Sequence, residues 1–546
     1  MPEMRPAIAR RVLPLLAGAL LAIGAGCGTR TGRDAGPWVP DRGDGTYRNP
    51  VLFADYSDPD AIRVGEYFYL VSSSFSSVPA VPVLRSRDLV NWRIVAHVAA
   101  RLPSPAFDTP QHGRGVWAPS LRYHQGRFWL FYGDPDLGIF VSTAARAEGP
   151  WEPPTLVQEA RGWIDPCPLF DDDGSVWLVH AWAKSRAGFN GVLTMRSLSS
   201  DGRRIVGEAT TVFEGGTRHP TIEGPKLYKR DGWYYIFAPA GGVRNGWQVV
   251  LRSRHVLGPY EDRVVLARGS TNVNGPHQGA WTETAGGESW FLHFQDRGPW
   301  GRVVHLQPMS WRNGWPVIGS HPGGDGTGEP IVSGTKPRVQ GGTGVETPAT
   351  SDEFTGPGLG LQWQWPANPR DEWWSLAARR GWLRLRAAPA PGPRATLWDA
   401  PLVLLQKLTG PAFTATTSVE LGASAPGTRA GLVVMGRDYA YLALETTAGG
   451  TRALVVVCRN ADAGGREIEI ATLPLDSSTG QLRLSVDEAA LGRFSFSRDG
   501  NRFEPLGEAF AVRRGAWVGA RAGLFALSPA AETRPAHADF DWFRVN

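Results

Sequence analysis

Short apolar and aromatic runs separated by glycine turns repeat five times between residues 48 and 320. Each repeat starts beside a proline or glycine, continues as a short strand, turns at a glycine, and returns as an aromatic strand. The repeats start at Asp58, Trp117, Asp165, Glu223 and His277. Their spacing of roughly 50 residues is typical of the blades of a propeller. The pattern therefore predicts a five-bladed β-propeller over residues 48–320.

A second alternating region covers residues 351–546, for example at 382–386 and 481–485. Alternation of apolar and polar residues is typical of half-buried antiparallel strands, and it predicts a β-sandwich of jelly-roll or concanavalin-like type. Residues 321–350 are rich in Gly, Pro and Thr and form the predicted linker. A free loop of this length is unusual, so we expect it to pack across the interface between the two all-β domains.

The chain begins with the pattern of an export signal. Arg5, Arg10 and Arg11 precede an apolar stretch over residues 12–26, which is too short to span a membrane comfortably. Residues 1–27 are therefore the predicted signal peptide, and Cys27, after small residues, is a candidate lipidation site. Residues 28–47 are the predicted tether. We expect an exported protein that is periplasmic, extracellular or lipid-anchored at a bacterial cell surface.

Composition narrows the function classes. The net charge is only +5 over 546 residues and the basic residues are scattered, which argues against nucleic acid as a partner. The 23 tryptophans suit both core packing and stacking on sugars. Cys167 and Cys458 fall in different predicted domains, so no disulfide framework is expected, and Cys167 fits a small buried hydrophobe.

The residues that start the repeats should meet, because the innermost strands of a propeller surround one axis. Three of the five are carboxylic acids, namely Asp58, Asp165 and Glu223. Carboxyl groups held close together raise each other's pKa, so at least one should stay protonated near neutral pH. One protonated acid and one carboxylate on opposite sides of a sugar are the requirements of glycoside hydrolysis.

The motifs that carry these residues resemble glycoside hydrolase family 43 over residues 48–320. The matching segments, in chain order, are Asn49-Pro50-Val51, Ser57-Asp58-Pro59, Val116-Trp117-Ala118-Pro119, Ile164-Asp165-Pro166, Glu223-Gly224-Pro225 and His277-Gln278-Gly279. The resemblance implies an inverting mechanism with Asp58 as general base, Glu223 as general acid and Asp165 as the residue that tunes and orients the acid. It also implies that the chemistry requires no cofactor.

The resemblance implies further substrate contacts. The axial histidine of the family is matched by His277, which could also hold a calcium ion through water, and its site arginine is matched by Arg302. Trp117 is the best candidate for an axial sugar platform. Phe75 and Trp247 are further candidates for sugar binding, with core packing as the alternative for both.

The second domain resembles the sandwich appended to many exo-acting members of family 43, where it can lend a loop to the rim of the pocket. Its opening acids Asp352 and Glu353 and its closing acids Asp539 and Asp541 could hold a structural calcium, or could simply cap strand ends.

Other polar residues offer weaker alternatives. Asp60 could compete with Asp58 as the base, but we favour a turn cap. Asp134 and the acids at 171–173 fall in predicted turns. His112 and His219 precede repeat starts; they could line the mouth of the pocket, although solvated loop positions fit them better.

The resulting prediction is an exo-acting β-xylosidase that releases xylose from the non-reducing end of xylo-oligosaccharides or xylan side chains. An α-L-arabinofuranosidase acting on arabinoxylan or arabinan is the alternative, and an endo-arabinanase fits less well. A non-catalytic glycan-binding propeller is the rival from another class, although it would not need an acid and a base.

Overall fold

A computed structural model describes residues 36–321, 323–324, 326–341, 344–391, 396–529 and 536–546. The predicted signal peptide, Cys27 and the start of the tether lie outside these residues. Within them, no helix combines the length and the apolar character needed to cross a bilayer.

Successive antiparallel sheets of four strands follow a short strand, β1 (Thr46–Arg48). The first sheet contains β2 (Asp60–Val64), β3 (Tyr67–Val71), β4 (Ala80–Ser86) and β5 (Trp92–Ala99). The second contains β6 (Trp117–His124), β7 (Arg127–Asp134), β8 (Gly138–Ala144) and β9 (Thr155–Glu159). The third contains β10 (Trp163–Phe170), β11 (Val176–Trp182), β12 (Val192–Leu198) and β13 (Thr210–Glu214).

Two further sheets complete the set. The fourth contains β14 (Lys226–Arg230), β15 (Trp233–Ala240), β16 (Trp247–Ser253) and β17 (Glu261–Leu266). The fifth contains β18 (His277–Glu283), β19 (Ser289–Asp296), β20 (Arg302–Arg312) and β21 (Trp315–Ile318). In the described part of the chain these five sheets correspond one to one with the five sequence repeats.

The sheets form a closed ring. Neighbouring sheets contact each other through their first strands or the strands beside them, and β18 of the fifth sheet contacts β2 of the first. The segment before β2 also runs along β20, where Leu52 and Val304 exchange backbone hydrogen bonds and the Tyr56 N–H donates to the Arg302 carbonyl. Buried residues of the first and fifth sheets share one apolar cluster across this seam. The ring is a β-propeller.

Short helices lie in the connections. Among the described residues they are one α-helical turn, α1 (Lys184–Ala187), and 3₁₀ turns at Pro105–Asp108, Gly298–Trp300, Asp371–Trp373 and Ala461–Ala463.

From residue 36 onward the predicted tether is packed rather than free. The Trp38 indole donates to the Pro50 carbonyl and its ring lies edge-on to Phe53. Strand β1 pairs with β22 (Ser333–Thr335) of the predicted linker. The apolar ring of Trp38 and the pairing of β1 explain why this segment is held against the propeller.

The C-terminal sandwich has two antiparallel sheets. The strands in chain order are β23 (Trp374–Ser375), β24 (Leu383–Ala387), β25 (Leu404–Lys407), β26 (Phe413–Leu421), β27 (Arg429–Met435), β28 (Tyr439–Thr447), β29 (Gly450–Cys458), β30 (Glu467–Leu475), β31 (Thr479–Val486), β32 (Leu491–Ser497), β33 (Glu504–Pro505), β34 (Phe510–Ala511), β35 (Arg521–Leu527) and β36 (Ala536–Val545). One sheet has the order β25-β35-β27-β28-β29-β30, and the remaining strands form the other. In β31, Leu482 and Leu484 point into the core while the polar residues between them are partly exposed.

Backbone hydrogen bonds dock the sandwich on the propeller. Val78 and Trp365 exchange two of them, and the Gly410 N–H donates to Phe53. A third contact joins the Ala520 N–H to the Pro299 carbonyl. Because these bonds involve the main chain of both domains, the sandwich holds a definite position beside the propeller axis.

Candidate active site

A left-handed residue lies within two residues of the start of each innermost strand. These residues are Asp58 (φ 55°), Ala118 (29°), Asp165 (57°), Gly224 (59°) and Gln278 (28°). The strand pairing shifts register at this point in the second, third and fifth sheets. Such irregularities re-aim side chains, so successive residues can both face the axis instead of alternating. The expectation of one equivalent position therefore needs correction, because Trp117, Glu223 and His277 each occupy the position before the left-handed residue.

One cavity of about 120 Å³ opens on the propeller axis. It brings together all the predicted catalytic and sugar-binding residues except Trp247. Its lining residues are Asp58, Phe75, Trp117, Ile164, Asp165, Glu223, Val243, His277, Gln278, Arg302 and Trp517.

Asp58 is buried and held from two sides. Arg302 Nη1 donates to its Oδ1 at 2.8 Å, and the Ser73 hydroxyl donates to its Oδ2 at 2.5 Å. Ser73 also accepts the Ala118 N–H, which connects the first two blades at the cavity. The carboxylate is thus fixed in direction by groups from the first and last blades. The run Ser72-Ser73-Ser74 was visible in the sequence, but nothing local identified Ser73 as the donor.

Asp165 is a buried carboxyl group and Glu223 a partly buried one, and both have raised pKa values. Burial raises the pKa of Glu223 to about 8, with additional repulsion from Asp165 and Asp58 that Arg302 partly offsets. Burial, followed by the charge of Asp58, raises the pKa of Asp165 to about 7. The Gly224 N–H donates to Asp165 Oδ2 at 2.8 Å, so Asp165 holds the backbone directly after Glu223. Near neutral pH this cluster therefore carries at least one proton.

Gln278 lines the cavity. It belongs to the motif His277-Gln278-Gly279 but was not among the predicted site residues. Its side chain hydrogen-bonds to Asp165. A Cβ at position 224 would lie 2.2 Å from Gln278 Cγ, so only glycine fits there. The glycine after Glu223 is therefore required by the close approach of the neighbouring blade.

His277 lies beside Glu223, with Nε2 at 3.5 Å from Glu223 Oε1. Burial lowers the pKa of His277 to about 3, so the ring is neutral. Neither ring nitrogen has a hydrogen-bond partner among the described residues, which fits a water or a hydrated cation in the axial channel. No group of three or more His, Cys, Asp or Glu side chains in that part of the chain could ligate a metal, so calcium there would be held through water.

Trp117 and Phe75 form an aromatic wall, whereas Trp247 does not contribute to it. The rings of Trp117 and Phe75 meet edge to face at 6.1 Å. Trp247 packs against Gly241 and donates its indole N–H to His219, so it is not among the residues that line the cavity. It stands at the start of β16, where the propeller core requires an apolar side chain.

Trp517 reaches the cavity from the sandwich. Its ring meets that of Trp117 edge to face at 6.0 Å, and about half of its surface stays exposed. A sandwich loop was expected at the rim, but Trp517 was not among the predicted residues. No periodicity marks it, because Trp517 lies in a loop between strands.

Several of the weaker candidate site residues contact other side chains and do not line the cavity. Asp60 is fully buried, with Oδ2 accepting from Arg122 Nη1 and the Leu121 N–H at 2.8 Å each. It is therefore an ion-paired residue between blades, neither a turn cap nor a competing base. His112 stacks on Trp398 of the sandwich, and His219 bonds to Asp262, so the expectation of solvated histidines was wrong.

Three of the four candidate calcium ligands in the sandwich have other partners. Asp539 receives two hydrogen bonds from Arg384, and Glu353 receives two from Arg544. Asp352 accepts two backbone N–H groups and the Trp363 indole. Since arginines and N–H donors already satisfy these oxygens, the alternative of capped strand ends applies.

A propeller whose axial cavity gathers three carboxyl groups, joined to a concanavalin-like sandwich, is the architecture of a glycoside hydrolase. Residues 47–316 match the model of glycosyl hydrolases family 43. Residues 351–546 match the beta xylosidase C-terminal concanavalin A-like domain. The chain belongs to glycoside hydrolase family 43, whose chemistry requires no cofactor.

Several similar proteins align with most of the chain. A candidate beta-xylosidase of Xylanibacter ruminicola is 40% identical over 490 residues, which span 88% of this chain and 86% of that protein. The non-reducing end alpha-L-arabinofuranosidase BoGH43B of Bacteroides ovatus is 29% identical over 91% of this chain and 94% of its own length. The crystal structure of xylan beta-1,4-xylosidase from Bacillus halodurans superposes with a TM-score of 0.79, at 26% identity, over 91% of this chain and 99% of that one.

Proposed function

We propose that this protein is an exo-acting, inverting β-xylosidase. The observation that carries the proposal is an axial cavity that brings together Glu223, whose pKa is raised to about 8, and Asp58, whose carboxyl group is oriented by an arginine. In this proposal Glu223 protonates the oxygen of the leaving group while Asp58 accepts a proton from the attacking water. Asp165 keeps Glu223 protonated through its charge and orients it through the Gly224 amide.

The proposed protonation states follow from the surroundings of each group. Burial and two neighbouring acids keep the proton on Glu223 up to a pH of about 8. Asp58 instead accepts hydrogen bonds from Arg302 and Ser73, which aim its oxygens for proton transfer. Neutral His277 and cationic Arg302 line the same cavity and can donate hydrogen bonds to sugar hydroxyls.

The shape of the cavity supports exo action. Trp117, Phe75 and Trp517 line the cavity, whose volume of about 120 Å³ favours a single sugar residue over several. The sandwich contributes Trp517 to this enclosure, so both domains take part in the proposed selection of chain ends. Xylo-oligosaccharides and xylan side chains are the proposed substrates, in keeping with the name of the relative that is 40% identical.

An α-L-arabinofuranosidase remains the second candidate. The relative that is 29% identical over 91% of this chain is named for that activity, and arabinofuranose and xylopyranose present similar hydroxyl groups. A glycan-binding propeller without catalysis would not need the raised pKa of Glu223. We also propose that the chain is exported, on the basis of the charge and apolar pattern of its first 27 residues.

The decisive experiment compares p-nitrophenyl β-D-xyloside with the α-L-arabinofuranoside for the wild type and for Glu223→Gln. Faster release from the xyloside, with α-xylose as the first product seen by NMR, is the expected result. Faster release from the arabinofuranoside would favour the second candidate. Binding of xylo-oligosaccharides without turnover on any pentoside would favour the glycan-binding propeller, and β-xylose as the first product would exclude inversion.

A further inference from the structure

Asp55, three residues before the proposed base, is a buried carboxylate that is 4% exposed and does not touch the cavity. Its Oδ1 accepts the Ser57 hydroxyl at 2.9 Å and the Arg302 backbone N–H at 2.9 Å. Its Oδ2 accepts the backbone N–H of Gly519 in the sandwich at 3.0 Å. A single side chain therefore joins three segments of the chain.

Two glycines make this junction tight. A Cβ at Gly519 would lie 2.8 Å from the Gly301 nitrogen and 2.9 Å from the Gly301 Cα. A Cβ at Gly301 would lie 2.5 Å from the carboxylate of Asp55. The backbones of the two domains thus touch directly beneath the carboxylate, and neither glycine can be replaced without displacing its neighbour.

Each bonded segment leads to a group at the cavity. The backbone of Arg302 is held by Asp55, and the guanidinium of Arg302 is held on Asp58. Ser57 directly precedes Asp58, while Gly519 follows Trp517 by two residues in the rim loop, residues 513–520. Asp55 is therefore connected to both the proposed base and the aromatic residue that encloses the cavity.

Charges around Asp55 explain why an acid stands at this position. Lys407 and Arg521 of the sandwich are partly buried cations near Asp55. Burial lowers the pKa of Lys407 to about 8, and the charge of Asp55 acts against that decrease. Burial also lowers the pKa of Arg521, again opposed by Asp55. A neutral residue at position 55 would leave these cations without that compensation.

We propose that Asp55 is a positioning residue that couples the rim loop of the sandwich to the Arg302–Asp58 pair of the propeller, an inference that rests on the proposed function only for its effect on catalysis. When the sandwich docks, Gly519 and Arg302 share one carboxylate. The rim loop and the partner of the base therefore take up their positions together.

The test uses hydrogen exchange followed by mass spectrometry on the full-length chain and on Asp55→Asn. Loss of the charged acceptor should speed exchange about tenfold or more in two segments together, the rim loop and residues 300–304. Gly519→Ala should speed exchange in the same two segments from the other side of the contact, which keeps the test independent of the folding of one variant. Asp352→Asn is the matched control, because Asp352 also accepts two backbone N–H groups and one side-chain donor but lies away from the cavity.

Kinetics then separate positioning from stability. On p-nitrophenyl β-D-xyloside, Asp55→Asn should lower kcat roughly 10–100-fold, as loss of an orienting contact commonly does, whereas Asp352→Asn should change it less than about twofold. Faster exchange in one segment only, or a kcat for Asp55→Asn within about twofold of the wild type, would overturn the inference. If the wild type hydrolyses no pentoside, the proposed function fails, and the paired exchange result alone decides whether the coupling exists.

Discussion

The carboxyl groups of the propeller cavity and those of the sandwich have pKa values that are shifted in opposite directions. At the cavity, burial and neighbouring acids raise the pKa of Glu223 to about 8 and that of Asp165 to about 7. In the sandwich, burial acts on Asp539 as well, but hydrogen bonds and charge from Arg384 and Arg379 lower its pKa overall. Glu353, bonded to Arg544, has a lowered pKa too.

The difference lies in how cations are distributed. Arg302 is the arginine that lines the cavity; it is hydrogen-bonded to Asp58 and also acts on Glu223 through its charge, whereas in the sandwich Asp539 pairs with both Arg384 and Arg379. A shortage of cations leaves protons on the cavity acids and makes proton transfer available there. The cavity acids can therefore transfer protons to or from a substrate, whereas the sandwich acids stabilise the folded domain. Substitutions in both regions test this difference.

Asp58→Asn should lower the catalytic activity most strongly. An amide cannot accept a proton from water, so kcat/KM should fall by about 10²–10⁴-fold, whatever the leaving group. Steady-state kinetics on an aryl xyloside and on xylobiose would measure the decrease for both. Glu353→Asn is the sandwich control and should retain the wild-type rate. A similar loss of kcat/KM in Glu353→Asn would contradict the distinction between the cavity acids and the sandwich acids.

Asp165→Asn should change the pH dependence of the activity. Removing this negative charge lowers the pKa of Glu223, which must be protonated to act as the acid. The alkaline limb of kcat/KM should therefore move from a pH of about 8 to lower pH, by roughly one unit, so that the rate near pH 8 falls about fivefold. Asp171→Asn is the control in the same blade, because Asp171 pairs with Lys229 and does not line the cavity. A limb that moves to higher pH would contradict the proposed role of Asp165.

Trp517→Ala should have a smaller effect, because it removes enclosure and leaves the acids in place. We expect KM for xylobiose to rise about fivefold to tenfold, a typical consequence of losing one aromatic contact, with little change in kcat. Trp382→Ala removes a tryptophan of the sandwich that stacks on Arg379 and serves as the control. An unchanged KM in Trp517→Ala would show that the sandwich does not contribute to binding.

Local repetition explains why much of the propeller could be predicted from the sequence. Each blade encodes its own strands and glycine turn, so the positions of Asp58, Asp165 and Glu223 at the axis followed from counting repeats. The same logic misjudged Asp60, because alternation in a strand places it on the face of Asp58 but cannot reveal that Arg122 of the next blade pairs with it. The left-handed residues at each strand start also lay outside any propensity pattern.

Contacts between the domains explain what the sequence could not reveal. Trp517, Asp55 and His112 all act through partners that lie hundreds of residues away, such as the 464-residue separation between Asp55 and Gly519. Their neighbours in the sequence resemble ordinary loops, so no spacing or periodicity identifies them. The positions of the axial side chains followed from the repeat, whereas the contacts that form when the sandwich docks did not follow from any local pattern.

Asp539→Asn should leave activity unchanged and lower stability instead. Loss of the bidentate bond from Arg384 should reduce the free energy of unfolding by about 1–3 kcal/mol, measured by urea denaturation at pH 7. Because the folded-state pKa of Asp539 is lowered, its contribution is present above the unfolded pKa of about 4 and is lost as the pH falls through the folded value. The difference between variant and wild type should therefore shrink in acid. A variant with normal stability but reduced kcat would show that the sandwich acids take part in catalysis and would remove the distinction between the two regions.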